Sequence, residues 1–99
     1  MAGYRNESTD RLMDILATLD SREACYAFME DLCTIRELLD MSQRFDTALL
    51  LSKGENYQEI CKKVGTSTAT VSRVSRCLNY GSGGYRAVID ALKKPEEEA

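Results

Sequence analysis

Apolar residues recur along this chain at helical spacing. Leu12, Ile15, Leu16 and Leu19 fall at i, i+3, i+4 and i+7, which predicts one apolar stripe along a helix. Ser8 or Thr9 is the expected N-cap, with Asp10 favourable near the positive end. Asp20-Ser21 interrupts the pattern. Ser21 then caps a second helix whose stripe is Cys25, Phe28, Met29, Leu32 and Cys33. Thr34-Ile35-Arg36-Glu37 is a capping box, in which threonine bonds forward and glutamate back, and it opens a short helix through Leu38 and Leu39. Ser42 caps another, carrying Phe45, Ala48 and Leu49 with Leu51 nearby. Lys53-Gly54 ends that one, glycine serving as a left-handed cap.

The second half punctuates more sharply. Asn56-Tyr57-Gln58-Glu59 is a further start signal, and its short helix stops at Gly65. Thr66-Ser67 restarts the chain into a helix reaching about Asn79. Tyr80-Gly81-Ser82-Gly83-Gly84 is a glycine-rich loop. Tyr85, Val88, Ile89 and Leu92 then mark a last helix, with Pro95 as its expected end and a frayed tail at Glu96–Ala99. No segment alternates with the period of a strand, and no long repeat is present. The expected fold is all-α, about six helices in one domain over 1–99. Residues 7–54 would supply dimerisation helices, 56–79 a helix-turn-helix, 80–94 the loop and C-terminal helix, and 95–99 an acidic tail.

A chain of 99 residues, 43% of them hydrophobic, can build a core but has little area to spare, so a dimer sharing its core is plausible. The net charge of −3 taken whole points away from nucleic acid. Resolved by segment it does not. Residues 1–49 carry a balance of −5, residues 50–94 a balance of +5, and residues 95–99 a balance of −3. Such a partition points to a charged partner for one half.

The same residues narrow the chemistry. No apolar run is longer than Ala48-Leu49-Leu50-Leu51, so no membrane span is expected. Met1-Ala2-Gly3-Tyr4 has no basic and apolar leader pattern, and the expected location is the cytoplasm. Cys25, Cys33, Cys61 and Cys77 lack C-x-x-C spacing and read as free thiols that pack as small hydrophobes. With no histidine, zinc would need all four thiolates at irregular spacing, so no metal is expected. The carboxylates Asp10, Asp14, Glu30, Asp31, Glu37 and Asp40 lie on polar helix faces without a companion nucleophile, and no enzyme is expected. The glycine-rich loop follows a helix and lacks the phosphate-loop lysine. Tyr57, Tyr80 and Tyr85 sit around the basic half; stacking on bases is one role open to them, and packing with a wet hydroxyl is the commoner one.

Tyr57 to Arg76 is the informative stretch. A helix-turn-helix needs two helices joined by a short turn. Its fourth and eighth residues must be apolar, and here they are Ile60 and Val64. The fifth must be small because the second helix crosses it: Cys61. The ninth sits in the turn at positive φ, where glycine costs least: Gly65. The fifteenth and eighteenth pack the second helix back: Val71 and Val74. Outside remain Gln58 on the first helix and Ser67, Thr68, Ala69, Ser72, Arg73 and Arg76 on the second. Small side chains let a helix sit deep in a major groove. Thr68 and Ala69 can touch a thymine methyl, and Arg73 can reach a phosphate or a guanine edge. Lys62, Lys63 and Arg76 suit phosphates. The bland alternative is an αα-corner inside a helical bundle. Concentration of basic charge here, and a second helix without a wide apolar face, argue against it.

The arrangement resembles the Trp repressor superfamily, in particular its YerC/YecD-type branch. The likeness is carried by Leu49-Leu50-Leu51-Ser52-Lys53-Gly54-Glu55, Glu59-Ile60, Val64-Gly65 and Thr68-Ala69-Thr70-Val71-Ser72-Arg73. The last six are similar to the family's I-A-T-I-T-R recognition core, which adds Thr70 to the DNA-binding set. The resemblance implies a six-helix intertwined homodimer whose fourth and fifth helices read DNA, on a near-palindromic operator with half-sites about one helical turn apart.

Position by position, Arg44 and Arg73 match the two arginines that sandwich the tryptophan corepressor, and Thr34 matches another pocket residue. Val74 stands where the tryptophan-binding member has glycine and would crowd the indole; Cys77 stands in place of a serine that helps hold the amino group. Tryptophan control is therefore not expected, and Arg44 and Arg73 read better as solvated or phosphate-facing side chains. A different small effector stays open, and no cofactor is expected. Two departures concern DNA: the first reading helix is one residue shorter near Asn56-Tyr57, and Cys61 replaces a DNA-contacting lysine. The expected function is a homodimeric, sequence-specific transcriptional regulator, a repressor. The alternative is a non-catalytic protein-interaction module with a vestigial helix-turn-helix.

Overall fold

The computed structural model describes residues 3–98, with 94–98 described by their backbone alone. Among the described residues there are six helices and no strand, as the pattern predicts: α1 Glu7–Thr18, α2 Arg22–Leu32, α3 Ile35–Ser52, α4 Tyr57–Val64, α5 Thr68–Tyr80 and α6 Gly84–Glu98. The chain divides into two compact units between Leu38 and Leu39.

In the first unit, α1 starts earlier than expected. Asn6, not Ser8 or Thr9, is its N-cap. The Asn6 side chain accepts from the Thr9 N–H at 2.9 Å, and the Thr9 hydroxyl accepts from the Asn6 N–H at 2.9 Å. A threonine at the third helical position thus completes the reciprocal box usually made by glutamate. Ser21 caps α2 as predicted, accepting from the Ala24 N–H. The Thr34–Glu37 box also forms, with bonds of 2.8 and 3.1 Å. Neither α1 nor α2 contains a buried residue. Of the α1 stripe, Leu12 and Leu16 are half-buried and Ile15 is exposed.

The two short helices expected around Ser42 are one continuous helix, α3. No glycine or proline interrupts residues 38–42. The Ser42 hydroxyl donates to the Leu39 carbonyl at 2.9 Å instead of capping a new start. A serine whose hydroxyl bonds back along its own helix does not break it. Gly54, at φ 85°, takes the predicted left-handed conformation after α3.

The second unit holds a core of Ala48, Val74, Leu78 and Ile89 from α3, α5 and α6, ringed by Phe45, Leu49, Leu51 and Tyr85. The Phe45 and Tyr85 rings lie 6.3 Å apart and tilted. Pro95 does not end α6, which continues to Glu98. Proline's fixed φ is compatible with helical backbone, although it gives up the bond to the Ala91 carbonyl and crowds that carbonyl. The expected frayed tail is therefore helical through Glu98, while Ala99, Met1 and Ala2 lie outside the described residues.

Candidate nucleic-acid interface

Local capping builds the corner. Asn56 caps α4 by accepting from the Glu59 N–H at 2.9 Å. Gly65 ends α4 at φ 79°, ψ 38°, in the left-handed region the pattern requires, and its N–H donates to the Cys61 carbonyl. Three residues later α5 begins, with the Ser67 side chain accepting from the Thr70 N–H at 3.2 Å. Ile60 and Val71 are fully buried and Val74 is 2% exposed, while Val64 and Cys61 are half-buried. The inward positions are thus the ones the twenty-residue spacing names. The turn is held by backbone conformation, and the crossing by aliphatic packing.

The outward positions form a polar surface. Gln58 and Lys62 on α4 are exposed, as are Ser67, Thr68, Ala69, Ser72, Arg73 and Arg76. Thr70 stands apart. It is half-buried, and its hydroxyl accepts from the Ser67 hydroxyl at 3.1 Å, within the α5 cap. Lys63 also differs from its neighbour. Its Nζ lies 2.5 Å from Glu55 Oε1 in the loop after α3. This hydrogen bond raises the Lys63 pKa above the ordinary lysine value against an opposing loss of hydration, with lesser help from the charges of Glu55 and Glu59. Beside it, Gln43 Nε2 of α3 donates to the Val64 carbonyl at 3.4 Å. Neither tie is visible to helical periodicity, because each joins residues across a loop. A lysine eight positions after a glutamate carries no recognisable signal.

The residues matched to an effector pocket are dispersed in role. Thr34 is occupied in the α3 capping box. Arg44 and Arg73 are exposed. Val74 fills the core between Ala48 and Leu78. Cys77 is exposed and borders an apolar groove of about 540 Å³ with Phe45, Tyr85, Val88 and the glycine loop. All four cysteines are free thiols; none is fully buried, contrary to the expected packing role. Among the described residues no cluster of cysteine and carboxylate side chains has a metal-binding arrangement, and no helix is long and apolar enough to cross a membrane.

An all-α chain with an exposed, basic-flanked helix-turn-helix has the architecture of a DNA-binding regulator. The family model described as Trp repressor protein matches residues 7–93, and the chain belongs to that family. It is 42% identical over 95 residues to the uncharacterized protein YerC of Bacillus subtilis strain 168, covering 96% of this chain and 91% of YerC. A TrpR-like protein from Eubacterium eligens superposes with a TM-score of 0.89 at 40% identity, over 93% of this chain and 95% of that one. A candidate Trp repressor from Staphylococcus aureus gives 0.86 at 41% identity, over 89% and 88%.

Proposed function

We propose that this protein is a cytoplasmic, homodimeric transcriptional repressor that reads duplex DNA through α5 and is not controlled by tryptophan. The observation that carries the reading is the outer face of α5. It opens with Ser67, Thr68 and Ala69, all small and exposed, and continues with exposed Ser72, Arg73 and Arg76. Small side chains allow close approach to base edges, and arginines supply guanine or phosphate contacts. Gln58 and Lys62 flank it from α4.

Dimerisation is supported by the first unit. α1 and α2 contain no fully buried residue, while Met13, Tyr26, Leu32 and Ile35 are all roughly half exposed or more. Exposed apolar side chains of this number need a cover, and a second copy would present the matching surface. The same exposed residues favour the interaction-module reading should the protein be monomeric in solution.

The test is anisotropy of labelled DNA selected from a random pool, measured across salt concentrations. Binding should weaken steeply with salt as counterions are released. Arg73→Ala should cost about 1–3 kcal/mol if the side chain reads a base. No DNA binding at low salt overturns the reading.

A further inference from the structure

The two adjacent lysines of α4 are chemically unequal. Lys63 is paired at 2.5 Å with Glu55, and Glu59 stands one helical turn before it. Lys63 borders a groove shared with Asp46, Leu49 and Leu50 of α3. Successive residues of a helix are about 100° apart, so Lys62 points well away from this flank and does not line that groove. Gln43 of α3 reaches the Val64 carbonyl next door, a second polar tie on the same flank.

Resting on the DNA-binding reading above, we propose that Lys63 is a positioning residue, clasped to Glu55 so as to hold α4 to the end of α3, and that Lys62 alone of the pair contacts phosphate. A lysine that neutralises a phosphate releases counterions and steepens the salt dependence. A lysine already neutralised by a carboxylate does so only after that pair is broken. Lys63 therefore adds nothing to the salt slope, and acts by keeping Gln58 and the start of α5 in register.

The experiment measures operator affinity against salt for the full chain and for Lys62→Gln, Lys63→Gln and Lys63→Arg, with melting of Glu55→Gln, Lys63→Gln and the double variant at low salt. Lys62→Gln should flatten the slope by about 1.8, about 0.9 for each of the two copies in the dimer. Lys63→Gln should weaken operator binding several-fold with the slope unchanged, and Lys63→Arg, which keeps the ion pair, should restore affinity. The double variant should melt with the single ones. A slope loss in Lys63→Gln equal to that of Lys62→Gln overturns the proposal alone, as do additive melting losses. Absence of DNA binding by the unaltered protein overturns the reading beneath it as well.

Discussion

Gly65→Ala isolates the conformational demand of the turn. Gly65 sits at φ 79°, ψ 38°, and a Cβ built there meets nothing within 4 Å. Steric contact therefore contributes nothing, and backbone strain decides the outcome. Holding an L-residue in the left-handed region costs about 1–2 kcal/mol. Alanine also stiffens the unfolded chain, which offsets about 0.4–1 kcal/mol of that. The net loss is about 1 kcal/mol, or about 4–8 °C in melting temperature for a domain of this size. Gly65→Asn should lose less, because asparagine visits this region more readily.

Gly81 supplies the contrast. Its φ of −85° is ordinary, but a Cβ there would overlap the Cys77 carbonyl oxygen. Asparagine at 81 should therefore do no better than alanine. The assay is circular-dichroism melting at one fixed protein concentration, since an oligomer's midpoint moves with concentration. A Gly65→Ala protein that melts with the parent, or an asparagine variant no better than alanine at 65, refutes the reasoning.

Other outcomes follow from caps and core. Ser67→Ala removes the α5 cap and should cost about 1 kcal/mol, read as a lower urea midpoint with an unchanged slope; an unchanged midpoint would show the cap to be replaceable by water. Isothermal calorimetry with tryptophan should give no heat, since the family resemblance sets Val74, buried here at 2% exposure, where the tryptophan-binding member has glycine; a micromolar binding signal overturns this. Ile60→Val trims a fully buried side chain at the corner and should destabilise by about 0.5–1.5 kcal/mol, with DNA affinity at 25 °C little changed; a neutral result would mean the site collapses around the smaller residue.

The local grammar of the chain determined most of its secondary structure. Ser21, the Thr34–Glu37 box, Gly54, Asn56, Gly65 and Ser67 each act on a neighbour within a few residues, so spacing suffices to read them. Where that reading failed, a second local solution was available. Ser42 could cap a helix or bond back within one, Asn6 competed with Ser8, and Pro95 could end α6 or ride within it. The six patterned positions of the corner were legible for a related reason: two short helices and a tight turn leave few ways to pack.

Tertiary structure decided what depends on residues far apart in the chain. It set Val74 among Ala48, Leu78 and Ile89, and it left α1 and α2 without a buried residue. It also separated Lys62 from Lys63, which composition counts alike, by bringing Glu55 across a loop to one of them. Periodicity reports which face a residue occupies; only the fold supplies what stands opposite that face, and an ion pair is a property of both.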